Sequence, residues 1–139
     1  MKGVVGVILL GVIASVGCDG TKDDVIGRYG PQAANLEVVV RPEGAGGPEI
    51  TNTIRCARFG PGAPGSPECS DLEGLTAEAL APTRADTACA AIFGGPATAT
   101  VRGVVLGKRV AARFDLANSC EVERWRRNSA ILGPPPRGG

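Results

Sequence analysis

Residues 87–93, Thr87-Ala88-Cys89-Ala90-Ala91-Ile92-Phe93, join a cysteine to a short apolar run that is followed by Gly94-Gly95. A run of this length and composition is typical of a buried strand, and periodicity alone cannot distinguish it from an exposed loop. The residues elsewhere in the chain must decide between these two interpretations. Cys89 can join this segment to another part of the chain through a disulfide.

The N-terminus indicates the compartment in which such a cysteine is found. Lys2 is followed by apolar residues 3–16, a length typical of a secretory signal rather than of a membrane span. Ala14-Ser15-Val16-Gly17-Cys18 resembles a bacterial lipobox, in which small residues precede a cysteine that receives diacylglycerol. We therefore predict a lipoprotein signal peptide over residues 1–17 and a lipidated tether over 18–34, which attaches the protein to a membrane through Cys18. Ser15 stands where leucine is usual, so ordinary cleavage and secretion remain the alternative.

Cysteine counting agrees with export. The chain has five cysteines, and if Cys18 carries lipid the other four can form two disulfides. These four are Cys56, Cys69, Cys89 and Cys120. Their spacing leaves all three pairings open. A zinc site is disfavoured because the chain has no histidine and no closely spaced cysteine pair.

The composition of the chain excludes several classes of function. A chain of 139 residues with 43% hydrophobic residues has room for one domain, and five aromatic residues make a thin core. The formal net charge of +1 gives no reason to expect nucleic acid as a partner. Without histidine there is no Ser-His or Cys-His pair to activate a nucleophile, and the cysteines are already assigned, so we expect no enzyme. No metal and no cofactor are expected either. The glycine- and proline-rich residues 60–65 match a nucleotide-loop pattern, but their prolines favour a disulfide-pinned loop.

Hydrophobic periodicity predicts an α+β fold. Alternating residues predict strands over 35–42, 49–56, 97–101 and 109–114, with a turn at Arg102-Gly103 and a last short strand at 130–132. A capping pattern at 70–73 predicts a helix over about 71–81. Asn118 or Ser119 can cap a second helix that runs to about Arg127 and carries arginines around Trp125 on a solvated face. Residues 133–139 are expected to be a disordered tail.

Four segments carry a resemblance to a known family. They are Thr53-Ile54-Arg55-Cys56-Ala57, Cys69-Ser70-Asp71-Leu72, Gly103-Val104-Val105-Leu106-Gly107-Lys108-Arg109-Val110 and Asn118-Ser119-Cys120-Glu121. With the cysteines, they resemble the subtilisin inhibitor-like family of exported bacterial serine protease inhibitors, in the same order and near the same spacing. The resemblance implies one domain over residues 35–132, with a five-stranded antiparallel sheet and two short helices. It also implies that Cys56 pairs with Cys69 and Cys89 with Cys120.

The resemblance assigns residues 89–93 a role. It implies that the reactive bond joins Ala91 to Ile92, flanked by Cys89, Ala90 and Phe93, and that Asn118 supports the loop from behind. Ala91 would enter the specificity pocket of the protease. Because its side chain is small, the expected partner is a subtilisin-like or elastase-like serine protease. Members of the family tend to pair through their sheets, so a homodimer is also an expectation.

Two departures from the family pattern support a different hypothesis. Ala90 stands where a stiffening proline is frequent, and Gly94-Gly95 is expected to loosen the loop. A loose loop is a better substrate than inhibitor. The alternative is therefore a membrane-anchored interaction module that has the same fold and no inhibitory activity.

Overall fold

The computed structural model describes residues 32–137. The predicted signal peptide, the lipidation of Cys18 and nearly all of the tether lie outside these residues. Within them, no helix is long and apolar enough to cross a membrane.

The described residues form one antiparallel sheet of four strands. These are β1 (Ala34–Arg41), β2 (Ile50–Cys56), β3 (Thr98–Val105) and β4 (Lys108–Phe114), in the order β2-β1-β3-β4. β1, β2 and β4 agree with predicted strands, because alternating side chains such as Leu36 and Val38 are buried while Glu37 between them is exposed. β3 begins as predicted but continues four residues past the predicted end at Val101. The predicted turn at Arg102-Gly103 is wrong. Gly103 lies inside β3 with a φ of +142°, where an added Cβ would lie 2.0 Å from the Asn35 carbonyl oxygen.

The prediction of five strands is wrong, because the expected fifth strand is helical. Helix α1 spans Ser119–Arg127 and is followed by the short helix α2, Ser129–Leu132. The apolar run at 130–132 buries Ile131 and Leu132 in the core from this helix. A run of three apolar residues is compatible with either structure.

The helix predicted over residues 71–81 is also absent. The chain there forms two 3₁₀ turns, Pro67–Asp71 and Glu78–Leu80. Between them Gly74 has a φ of +84°, which an α-helix does not accommodate. The carbonyl groups at the end of this segment bond to side chains of α1 instead. The Arg124 guanidinium donates to the carbonyl oxygens of Leu80 and Ala81 at 2.8 Å each.

The core lies between the sheet and the helices. Trp125 is fully buried, and its indole N–H donates to the Gly133 carbonyl at 3.1 Å. Arg124 is only 3% exposed, with its guanidinium carbon 4.0 Å from the centre of the Phe114 ring. The prediction of a solvated arginine face on α1 is therefore wrong for Arg124 and correct for the exposed Arg126 and Arg127.

The first disulfide joins Cys56 at the end of β2 to Cys69 in the first 3₁₀ turn, and both are fully buried. It closes the glycine- and proline-rich loop, as expected. The backbone of Gly65 lies beside this disulfide, and a Cβ added there would lie 2.1 Å from the Arg55 carbonyl oxygen. The end of this loop is consequently packed against β2, while Pro61, Gly62 and Pro64 are exposed.

Candidate functional site

Residues 87–93 form an exposed segment without regular secondary structure. The second disulfide joins Cys89 to Cys120 in the first turn of α1, as the resemblance implied. After it, Ile92 is 60% exposed and Phe93 is 70% exposed. The interpretation of this apolar run as a buried strand is therefore excluded.

The segment is attached to the domain on its upstream side by two hydrogen bonds. The Ala90 N–H donates to Ser119 Oγ at 2.9 Å, and the Ser119 N–H donates to the Ala90 carbonyl oxygen at 3.0 Å. These bonds lie directly beside the Cys89–Cys120 disulfide. We call this set of contacts the upstream anchor. It joins two consecutive loop residues to two consecutive residues of the helix.

Gly94 forms a second attachment, the downstream anchor. Its N–H donates to the Leu116 carbonyl oxygen at 2.7 Å. A Cβ at Gly94 would lie 2.6 Å from Val122 Cγ2 and 3.2 Å from Leu116 Cβ. The missing side chain allows the loop backbone to lie directly on α1. Gly94 thus holds the loop, contrary to the expectation that it would loosen it.

Three exposed residues, Ala91, Ile92 and Phe93, project between the two anchors. The Ile92 N–H donates to the Ala90 carbonyl oxygen at 2.8 Å, which forms a tight turn centred on Ala91. Within residues 32–137, the backbone N–H and C=O groups of Ala91 and Phe93 have no hydrogen-bond partner. These groups are free to pair with the backbone of another protein.

Asn118 stands at the N-terminus of α1 and caps it. Its Oδ1 accepts hydrogen bonds from the backbone N–H groups of Cys120 at 3.0 Å and Glu121 at 3.1 Å. The cap fixes the helical turn that carries Ser119 and Cys120. Direct contact with the loop is made by Ser119, which the sequence interpretation missed. The adjacency of Ser119 to Cys120 is the signal that could have identified it.

The electrostatics of the site are simple, since residues 87–93 include no group that ionises near neutral pH once Cys89 is in its disulfide. Away from the loop, in the second 3₁₀ turn, Lys108 donates a hydrogen bond to Glu78 and lowers the pKa of that carboxyl. No cluster of potential metal ligands occurs among the described residues. The chemistry that the loop offers is therefore that of backbone amides and small apolar side chains.

Comparison with known proteins finds a likeness among solved structures. No protein-family model matches the chain, and no curated protein gives a significant match. Among solved structures, the chain is similar to sermetstatin of Streptomyces caespitosus, solved in complex with Bacillus licheniformis subtilisin. The identity is 26%, the match covers 77% of this chain and 96% of that chain, and the TM-score is 0.35. A TM-score this low does not establish a common fold.

Proposed function

We propose that this protein is a serine protease inhibitor that presents the Ala91–Ile92 bond to its target. The observation that carries this proposal is the geometry of residues 90–94. Three exposed residues lie between two points at which the backbone is bonded to α1 and to the residues before it. The motif resemblance described above identifies the same bond.

The free backbone groups of Ala91 and Phe93 are suited to the way proteases bind extended peptides. A protease pairs its own backbone with that of the substrate, while one side chain fills the specificity pocket. Ala91 would fill that pocket, and a small side chain suits the apolar pockets of subtilisin-like and elastase-like enzymes. Ile92 and Phe93 would contribute apolar area on the leaving side of the bond. Because the anchors restrict the loop before binding, less conformational entropy is lost in the complex.

The anchors would also oppose the release of products. If the Ala91–Ile92 bond is cleaved, the upstream end remains attached through Ala90 and the Cys89–Cys120 disulfide. The downstream end remains attached through Gly94. Both new termini then stay close together, and religation competes with dissociation. A substrate without such attachments would leave the protease as two fragments.

The compartment is consistent with an exported inhibitor, since two disulfides are typical of proteins in an oxidising, extracytoplasmic environment. We propose that Cys18 carries lipid and tethers the protein to a membrane. Replacement of Cys18 by Ala should then release the protein into the soluble fraction of an expressing bacterium. A wild-type protein that is already soluble would contradict the tether and favour plain secretion.

The proposed function is tested by titrating a subtilisin-type protease with the purified protein. We expect stoichiometric loss of protease activity and a complex that survives gel filtration. Rapid, complete cleavage after Ala91 without a lasting complex would contradict inhibition and would leave a module that only resembles an inhibitor.

The assignment of Ala91 is tested by Ala91→Lys, which should redirect binding from subtilisin-like to trypsin-like proteases, because these require a basic side chain. Ala85→Lys is the matched control. Ala85 is also exposed but lies outside residues 87–93, so its replacement should leave the preference unchanged. If both variants behave alike, the reactive bond lies elsewhere.

A further inference from the structure

The face of the sheet that is turned away from the core, here called the outer face, carries four exposed arginines. Strand alternation places Arg55 of β2, Arg102 of β3, and Arg109 and Arg113 of β4 on it. None of the four side chains has an ion pair or a hydrogen bond within the described part of the chain. Their charges are therefore exposed to solvent and have no ion-pair partner among the described residues.

The outer face is strongly cationic although the protein is nearly neutral. Its remaining arginine, Arg41, is paired with Glu49, and its acidic residue is Glu37 in β1, opposite Arg102. The whole chain has a formal net charge of only +1. The positive charge is thus concentrated on one side of the domain. Such concentration favours a negatively charged partner.

The spacing of the arginines indicates an extended partner. Arg102 pairs across the sheet with Ala111, which lies midway between Arg109 and Arg113. With strands about 4.8 Å apart and about 3.4 Å per residue, each arginine position is separated from its nearest neighbour by roughly 8–12 Å. A single small anion cannot contact all four side chains. An array of phosphate groups in a plane can.

The apolar residues beside the arginines favour a bilayer over other polyanions. Val104 and Leu106 are exposed near Arg109, at the end of the sheet where β1 begins opposite Val105. Residues 1–31, with their apolar run at 3–16, therefore join the domain at this same end. Nucleic acid is disfavoured because the outer face has no aromatic side chain on which a base could stack. A second copy of the same face would place arginines against arginines.

We propose that the outer face binds the anionic headgroups of a lipid bilayer and orients the domain on that surface. Val104 and Leu106 would contact the interfacial region while the arginines contact lipid phosphates. Residues 87–93 precede β3 and lie beyond its Thr98 end, whereas the N-terminal segment enters at its Val105 end. An eight-residue strand spans about 25 Å. The candidate reactive loop would therefore remain accessible at the far end of the sheet.

The experiment compares binding of the full chain to phosphatidylcholine vesicles with binding to vesicles that also contain phosphatidylglycerol. Any insertion of the N-terminal segment or of the lipid proposed for Cys18 is common to both vesicles, so the difference between them reports the contribution of charge. We expect stronger binding to the anionic vesicles, decreasing as salt is raised. In Arg102→Gln/Arg109→Gln this preference should fall by about 25-fold, at about fivefold for each arginine near an anionic surface.

The control is Arg126→Gln/Arg127→Gln, which removes the same charge from an exposed part of α1 outside the outer face. It should retain the wild-type preference. Equal losses in the two double variants, or equal binding of the wild type to both vesicles, would overturn the proposal. Tighter binding to DNA than to anionic vesicles, or dimerisation that only the Arg102/Arg109 variant loses, would also overturn it. Both variants should inhibit the protease normally, which separates this result from failure of the proposed function.

Discussion

The two disulfides of this protein are chemically the same, but one lies in the core and the other holds an exposed loop. Cys56–Cys69 is fully buried in the hydrophobic core, and the loop that it closes bonds back to β2 through Ser66, whose hydroxyl accepts from the Arg55 N–H at 2.9 Å. Cys89–Cys120 lies at the surface and holds a segment whose central residues touch little of the domain. The first bond therefore consolidates a small core. The second transmits the rigidity of α1 to an exposed loop.

The largest effect should follow removal of the surface disulfide in Cys89→Ser/Cys120→Ser. Because its cysteines are 31 residues apart, the loop-closure estimate is about 4 kcal/mol of unfolding free energy. Without this disulfide, the backbone of the three projecting residues would have to be ordered on binding, at about 1 kcal/mol for each residue. The inhibition constant should therefore rise by about 100-fold. Urea unfolding and protease titration measure the two losses. Unchanged inhibition would show that the hydrogen bonds of Ala90 and Gly94 suffice to hold the loop.

Removal of the buried disulfide in Cys56→Ala/Cys69→Ala should affect stability and leave inhibition intact. The separation of 13 residues corresponds to about 3 kcal/mol. At a temperature where the variant remains folded, its inhibition constant should match that of the wild type. A parallel loss of inhibition would mean that the two regions are coupled and that the contrast between them is wrong.

The downstream anchor is tested by Gly94→Ala. The new Cβ would lie 2.6 Å from Val122 Cγ2, and relieving this overlap should cost about 1–3 kcal/mol of stability or displace the loop. Gly46→Ala is the control, since an added Cβ there meets nothing within 4 Å. Thermal unfolding and inhibition should both change for Gly94 alone. Adding Val122→Ala should restore part of the loss; if it does not, the contact with α1 is not the cause.

A smaller effect is expected from Ser119→Ala, which removes the acceptor of the Ala90 N–H. The Ala90 amide can rebond to water because the residue is exposed, so the cost should be about 1 kcal/mol, or about fivefold in inhibition. Ser70→Ala, at an exposed serine outside the loop, should be neutral. Equal inhibition by the two variants would show that the disulfide and the backbone bond from the Ser119 N–H to the Ala90 carbonyl oxygen suffice for the upstream anchor.

Local periodicity was sufficient to predict β1, β2, β4 and the first half of β3, because each alternates its apolar residues, and the cap at Asn118 or Ser119 predicted α1. Periodicity missed residues 102–105 of β3, where Gly103 favours a turn. It failed over residues 71–81. There Leu72, Leu75 and Leu80 are buried as a helix would bury them, but only Leu80 lies in a 3₁₀ turn, and the other two lie in the chain between the turns. The buried Arg124 satisfies the carbonyl groups that a helix would otherwise pair. A side chain more than forty positions away in sequence gives no local signal.

The candidate site was predicted only in part, again because some of its contacts join residues that are distant in the sequence. Cys89 and the apolar residues after it could be recognised from motifs that are contiguous in the sequence. The contacts of Ala90 with Ser119 and of Gly94 with Leu116 join residues more than twenty positions apart, and glycine in a sequence indicates flexibility as readily as close packing. The role of Gly94 as an attachment point is evident only from the three-dimensional structure.

Because only three residues project between the two anchors, the specificity of the loop can change without change to the domain that holds it. Ala91, Ile92 and Phe93 are exposed and lie outside the hydrophobic core. Substitutions at these three positions can therefore alter what the loop recognises with little penalty to folding. Selection could retarget the protein one residue at a time, while Ala90, Gly94 and the helix behind them keep the same scaffold.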